Sequence, residues 1–366
     1  MKIAMIGQKG IPTLFGGIER HVEEVSLRLA QKKNYQVFVY TRKYYTSKKL
    51  DRYRQVNLIS LPSLKTKHLD AISHTFLATL HALFKLRAEV IHYHGIGPAF
   101  NIWIPKIFRP RTKIVFTFHC RDYFHEKWGA FAQFALSIGE MMGCYLADEI
   151  IPVSLEIQKY TESQYNRKTD FIPHGVNPVN HVPAQLIKQW GLKENNYILA
   201  VSRLIAHKGI HYLIKAFQQV KTDKKLVIIG PGFYTQDYKA KLEKMAGGDN
   251  QIMFLGAQQG KILKELYSNA CLFVNPSEQE GLPLAVLEAG SFGRPLLLSN
   301  IGIHKQMFKS SPFLFKNKSI KDLKQKLEFI LKNPKIAKER AKEIKDYSRK
   351  TYNWDKVVEK IALRYI

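Results

Sequence analysis

The chain has 366 residues, 45% of them hydrophobic and 24% charged, and its 57 Lys and Arg against 30 Asp and Glu give a formal net charge of +27. The length suits two domains rather than one core, and the composition excludes a disordered chain. No apolar run approaches the ~20 residues of a spanning helix, and Cys120, Cys144 and Cys271 show neither a CxxC pair nor a metal-ligand spacing, which fits a reducing compartment.

The opening MKIAMIGQKG has too short an apolar stretch for a signal peptide and no cleavage site after it, so a cytosolic location is expected. Residues 2–7 read as a strand ending in Gly. Residues 16–32 carry Ile18, Val22, Val25 and Leu29 at helical spacing. Strands follow at 35–41 and in VNLISLP, then a helix at 68–87, strands at 88–95 and 112–119, a long helix at 131–147 and a strand at 148–154. This βαβ rhythm predicts a parallel sheet covered on both faces. The Pro-rich stretch 171–185 breaks it and reads as a crossing into a second domain. The rhythm then restarts, with strands at 197–204, 225–232, 251–256, 271–277 and 294–300 and helical patterns between them. Two Rossmann-like domains in tandem are expected, with ligands beyond the carboxyl ends of the strands.

The residues at those strand ends carry the chemistry. Gly7, Gly10, Gly16 and Gly17 make a loop feeding a helix N-terminus, where backbone amides can approach an anion closely. The spacing is not GxGxxG, and the second strand ends in YTRK without the acid that would hold an NAD ribose, which argues against a dehydrogenase. His92, His94 and His119 stand at strand ends, the last beside Arg121 and Asp122. A neutral His there can bond a sugar hydroxyl or a phosphate. With no HExxH and no second ligand cluster, no metal is expected. In VSRLIAHKG, Arg203 and Lys208 stand just past a strand and suit a diphosphate, Arg by its fork and Lys as a point charge. Gly230 and Gly232 mark the next strand end, where a base or ribose can approach.

The stretch EQEGLPLAVLEAG places two acids around a Pro. Pro283 suits a first helical turn, so a helix is expected from Leu282–Pro283, with Glu280 beside its free amides and Glu288 in the second turn. A carboxylate so placed can accept both hydroxyls of a ribose or those of a sugar. The competing account of Glu288 is a solvated helical acid.

The pattern Glu280-x7-Glu288, with VSRLIAHKG upstream and the early GG, resembles the GT-B glycosyltransferases of family 4 over almost the whole chain. The opening IGQKGIPTLFGGIERHVEE and the stretch FHCRDYFHEKWGAFAQFALSIGE resemble a branch with bacterial rhamnosyl- and galactosyltransferases of surface polysaccharide synthesis. The resemblance implies two domains facing across a cleft, 1–175 for the acceptor and 176–345 for the nucleotide sugar, with 346–366 packing back on the first. It implies a retaining transfer without metal or cofactor. His119 would contact the transferred sugar. Arg203 and Lys208 would hold the diphosphate. Glu280, with Gly281, Leu282 and Pro283, would hold the sugar, and Glu288 the ribose. Gly16 and Gly17 would approach the diphosphate or the acceptor. Cys120 and His174 depart from the family's usual residues.

The expected partners are a nucleotide sugar, a lipid-linked saccharide and an anionic membrane surface, which the basic charge and the segment 65–87 favour. Basic residues spread over both halves without a recognisable module, so nucleic acid is not expected. A nucleotide-sugar epimerase and a basic nucleotide-sugar-binding protein are the alternatives.

Overall fold

The computed structural model describes residues 1–45, 50–64, 69–121, 129–232, 236–309 and 311–366. Asp122 and the first four residues of the segment 65–87 lie outside them. The chain forms two compact units, Met1–Gly175 with Trp354–Ile366, and Val176–Asn353.

The first unit is built on seven strands: β1 (Lys2–Ile6), β2 (Gln36–Arg42), β3 (Arg52–Tyr53), β4 (Val56–Leu61), β5 (Val90–His94), β6 (Lys113–Phe118) and β7 (Glu149–Pro152). Their order is β3-β4-β2-β1-β5-β6-β7. All pairs are parallel except β3 with β4. Ile3 on β1 is in register with Val37 on one side and Val90 on the other, and all three are buried, as a parallel strand covered on both faces requires. The strand order reverses between β1 and β5. A ligand crevice in such a sheet lies outside the carboxyl ends at that reversal.

The second unit has β8 (Tyr197–Val201), β9 (Lys225–Ile229), β10 (Ile252–Phe254), β11 (Leu272–Asn275), β12 (Leu296–Ser299) and β13 (Phe313–Phe315), in the order β10-β9-β8-β11-β12-β13 and all parallel. Its reversal falls between β8 and β11. Leu226, Ile228, Ile198, Ala200 and Leu272 bury one sheet face under the helices Ile210–Phe217 and Ile320–Lys332, whose Leu213, Phe217, Leu323 and Leu327 complete the core.

Several elements go beyond the sequence expectation. The two-residue β3 and the edge strand β13 are too short to show a period. The helix Leu155–Tyr165 carries few apolar residues but starts at Ser154, whose Oγ accepts from the Ile157 amide at 3.2 Å. The expected helix 68–87 divides into an α-helix, Leu69–Leu80, and a wider π turn, His81–Leu86, ended by Arg87 in the left-handed region.

The chain returns to the first unit at Trp354 rather than at residue 346, because Pro334–Thr351 is one continuous helix of the second unit. Trp354 is 3% exposed and lies against Gly175, where any Cβ would collide with the indole. Arg28 on the helix Gly17–Ala30 donates to Asp355 at 2.9 Å, and Tyr365 bonds His92 at 2.8 Å. Emptying the indole's place by Trp354→Ala is expected to cost the first unit about 3–5 kcal/mol, read as a lowered urea midpoint for that unit's transition.

Candidate functional site

At the reversal point of the second sheet, β8 runs out into Arg203 and Lys208, and β11 into Ser277 and Glu280. Lys208 donates to Glu280 Oε1 at 2.6 Å, and the Ser277 hydroxyl donates to the same oxygen at 2.7 Å. Both side chains are nearly closed off from solvent, 13% exposed for Lys208 and 8% for Glu280. Gly209 lets the chain turn between Lys208 and the next helix: it has φ 67°, and a Cβ there would meet the Pro276 carbonyl. Burial alone would raise the Glu280 carboxyl, but the charge of Lys208 and the two donated bonds bring it to about 2, below its ordinary 4.5.

The helix after Glu280 spans Leu284–Ser291. Pro283 is the extended residue before it (ψ 108°), so the helix begins one to two residues later than expected. Leu282 and Pro283 are buried and Gly281 half-buried. Glu288 is half-buried, one turn into the helix, beside the buried phenol of Tyr267; burial first, then Glu288, hold that phenol well above its usual range. Arg203 is exposed.

Other glycines have internal reasons. A Cβ at Gly230 (φ 155°) would collide with the Ser202 carbonyl, and Gly232 lies under the Lys239 chain. Gly16 (φ 108°) stands against the Glu19 carboxylate and Gly17 begins the helix Gly17–Ala30. Glu19 accepts from the Lys9 amide at 3.1 Å, and Glu23 from the Thr13 amide at 2.9 Å. A diphosphate at this loop would meet two carboxylates.

In the first unit, His94 at the end of β5 and His119 just past β6 come together with His21 and His174. His94 Nδ1 is 3.3 Å from His119 Nε2, and His21 Nδ1 is 2.8 Å from His174 Nδ1. The His119 and His174 rings stack 5.2 Å apart. Beneath them His92 bonds both Tyr365 and Thr117. Burial drives His92 and His174 down to about 3 and His21 and His94 well below 6.5, so the rings are neutral. The expectation of no ligand cluster is corrected here: His21, His94 and His119 each bring a ring nitrogen within 4.8 Å of the others. Their wide separation in the chain hid them from a spacing test.

Sequence reasoning also missed His304 and Ser277. His304 is fully buried in the second unit, bonded to the Ser299 carbonyl at 2.9 Å, and Ser299 donates to the Ser277 carbonyl. Burial lowers His304 to about 4, against the pull of nearby Glu280. Glu278, two residues before Glu280, has partners of its own. It accepts from Tyr212 at 2.9 Å and pairs with Lys318 at 2.7 Å, so each acid is neutralised by its own lysine.

Residues 15–180 match the model for Glycosyltransferase Family 4, and residues 184–351 that for Glycosyl transferases group 1. The chain belongs to the GT-B glycosyltransferases of family 4. This glycosyltransferase-family chain is 31% identical over 181 residues to an uncharacterized glycosyltransferase of Methanocaldococcus jannaschii, a match covering 46% of each chain. It is 30% identical over 154 residues to the UDP-Gal:alpha-D-GlcNAc-diphosphoundecaprenol alpha-1,3-galactosyltransferase of Escherichia coli, covering 39% of each. The chain spans about half the length of the first curated relatives it matches. The sucrose-phosphate synthase of Thermosynechococcus elongatus shares the fold, with TM-score 0.84 at 21% identity over 100% of this chain and 98% of that one.

The depressed Glu280 carboxyl sets a pH dependence. Its stabilising effect is full above the unfolded value near 4.5 and is lost as the pH falls towards about 2. Glu280→Gln leaves Lys208 buried without its counter-charge and is expected to cost about 3–5 kcal/mol at pH 7. That gap to wild type should narrow steadily below pH 4.5 in urea midpoints taken at successive pH values.

Proposed function

We propose that this family 4 chain transfers a sugar from a nucleotide diphosphate sugar to a hydroxyl of a lipid-linked saccharide, with retention, in the assembly of a surface polysaccharide. The observation that carries this reading is the buried Lys208–Glu280 pair at the reversal point of the second sheet, with Glu288 one turn into the next helix. An ammonium has three N–H donors. One serves Glu280, which leaves two for phosphate oxygens, and exposed Arg203 adds a fork from the same strand end. The helix Leu284–Ser291 presents its first-turn amides beside Glu280.

In the step proposed, the bond from the anomeric carbon to the diphosphate breaks as the bond to the acceptor oxygen forms on the same face. The acceptor proton passes to the departing diphosphate oxygen. Lys208 and Arg203 neutralise the charge that grows there, so that no ion on the diphosphate is needed. Glu280 holds the sugar hydroxyls and Glu288 the ribose hydroxyls. The acidic loop at Gly16–Gly17 receives acceptor hydroxyls. The Escherichia coli relative named above acts on a diphosphoundecaprenol-linked sugar, which supports an acceptor of this class.

Such an acceptor lies at a bilayer. No described helix is long and apolar enough to cross a membrane. The first unit instead exposes Phe84 (55%), Ile107 (64%) and Phe108 (58%), with the Phe84 and Phe108 rings 6.0 Å apart. Exposed Lys85, Arg87 and Arg111 surround them in sequence. Apolar rings among cations suit an anionic bilayer surface.

Two measurements test this. Incubation with UDP-, dTDP- and GDP-sugars and a lipid-linked saccharide is expected to release nucleoside diphosphate, with Glu280→Gln slower by roughly 100-fold or more. A changed sugar on an intact nucleotide would instead make the chain an epimerase. For the surface, vesicles containing acidic lipid should sediment the protein at low salt, and Phe84→Ser with Phe108→Ser should release it; failure of wild type to sediment overturns the membrane reading.

A further inference from the structure

We propose that His21, His94 and His119 form a binding site for a divalent cation of the zinc class within the first unit. The three rings come from separate elements: the helix Gly17–Ala30, the end of β5 and the residue just past β6. Each contributes one nitrogen, and the three nitrogens lie within 4.8 Å of one another. Imidazole suits zinc, nickel and copper rather than the hard oxygen-seeking cations. The 3.3 Å between His94 Nδ1 and His119 Nε2 matches the ~3.4 Å that separates two nitrogens on a tetrahedral zinc with bonds of about 2.0–2.1 Å. The wider separations close by small ring movements as the ion enters.

A second observation is independent of that spacing. His21 Nε2 and His94 Nε2 are buried with no hydrogen-bond partner among the described residues. A buried polar atom left in this state is costly, and an ion bound through His21 Nε2 would recover that one. His21 already has the outer support of a metal-bound ring, because its Nδ1 bonds His174 at 2.8 Å and so fixes its tautomer and orientation. His92 cannot serve, since Tyr365 and Thr117 take both its nitrogens. The rings are 0%, 1% and 4% exposed for His21, His94 and His119, so the group is closed off from bulk solvent. Three protein ligands with a fourth position left open is a common zinc arrangement.

This site does not rest on the transfer reading. His21 and His94 have no part in that reaction.

The test uses the full chain, stripped with a chelator and titrated with Co2+ as a visible stand-in, followed by competition with Zn2+. The expected result is one equivalent bound, with the intense absorption of a tetrahedral cobalt site. His21→Gln and His94→Gln should each weaken binding by roughly 10-fold or more, while His211→Gln, in the other unit, should leave it unchanged. Thermal unfolding run in parallel shows that each variant is folded, and Zn2+ should raise the midpoint only where the site is intact. Zinc-edge X-ray absorption of the loaded wild type needs no variant and should show three imidazole nitrogens. Substoichiometric binding, fewer than three imidazoles, or affinity untouched by both substitutions would overturn the site and leave a hydrogen-bonded histidine core only.

Discussion

The second unit depends on one ion pair. Lys208 and Glu280 meet where the strand order reverses, and neither would be tolerable there alone. Bringing two charges out of water costs more than a single contact returns, so such a pair is weak evidence for stability. It is better understood as a device for position. Glu280 is fixed by Lys208 and by Ser277, and Ser277 is fixed in turn by Asn275 and Ser299. His304 closes this chain from beneath by bonding Ser299. The sheet sets where β8 and β11 end, and the polar chain sets where one ammonium and one carboxylate stand beyond those ends.

The first unit solves a different problem at its own reversal point. It gathers neutral rings rather than charges. Four buried histidines stack and bond among themselves, and His92, tied to Tyr365, supports them from below. Because Tyr365 and Trp354 come from the end of the chain, the integrity of this cluster is linked to the return of the last helix. Trp354 lies 5.6 Å from the His21 ring, which makes the returning segment one wall of the histidine group.

Much of this was legible in the sequence for simple reasons. Buried parallel strands such as KIAMI and YILAV are continuous apolar runs, and their ends point to Arg203, Lys208 and Glu280 without any knowledge of the fold. The separate placement of Glu280 before the helix and Glu288 within it followed from Pro283. What was not legible was partnership across long separations. His21 and His174 are 153 residues apart and Lys208 and Glu280 72. The sequence assigned the last two to different parts of a ligand and could not show that they first bind each other. The early glycines misled in a related way: their loop looks ready for an anion until Glu19 and Glu23, both on the following helix, are seen to occupy its amides.

The central claim is that the Lys208–Glu280 pair marks the donor end of the molecule. It is tested most directly by a crystal structure with a nucleoside diphosphate bound. The account predicts diphosphate oxygens within hydrogen-bond distance of Lys208 Nζ, the Arg203 guanidinium turned towards them, and Glu288 on the ribose. A nucleotide seated instead at the Gly16–Gly17 loop, with the ion pair untouched, would contradict it.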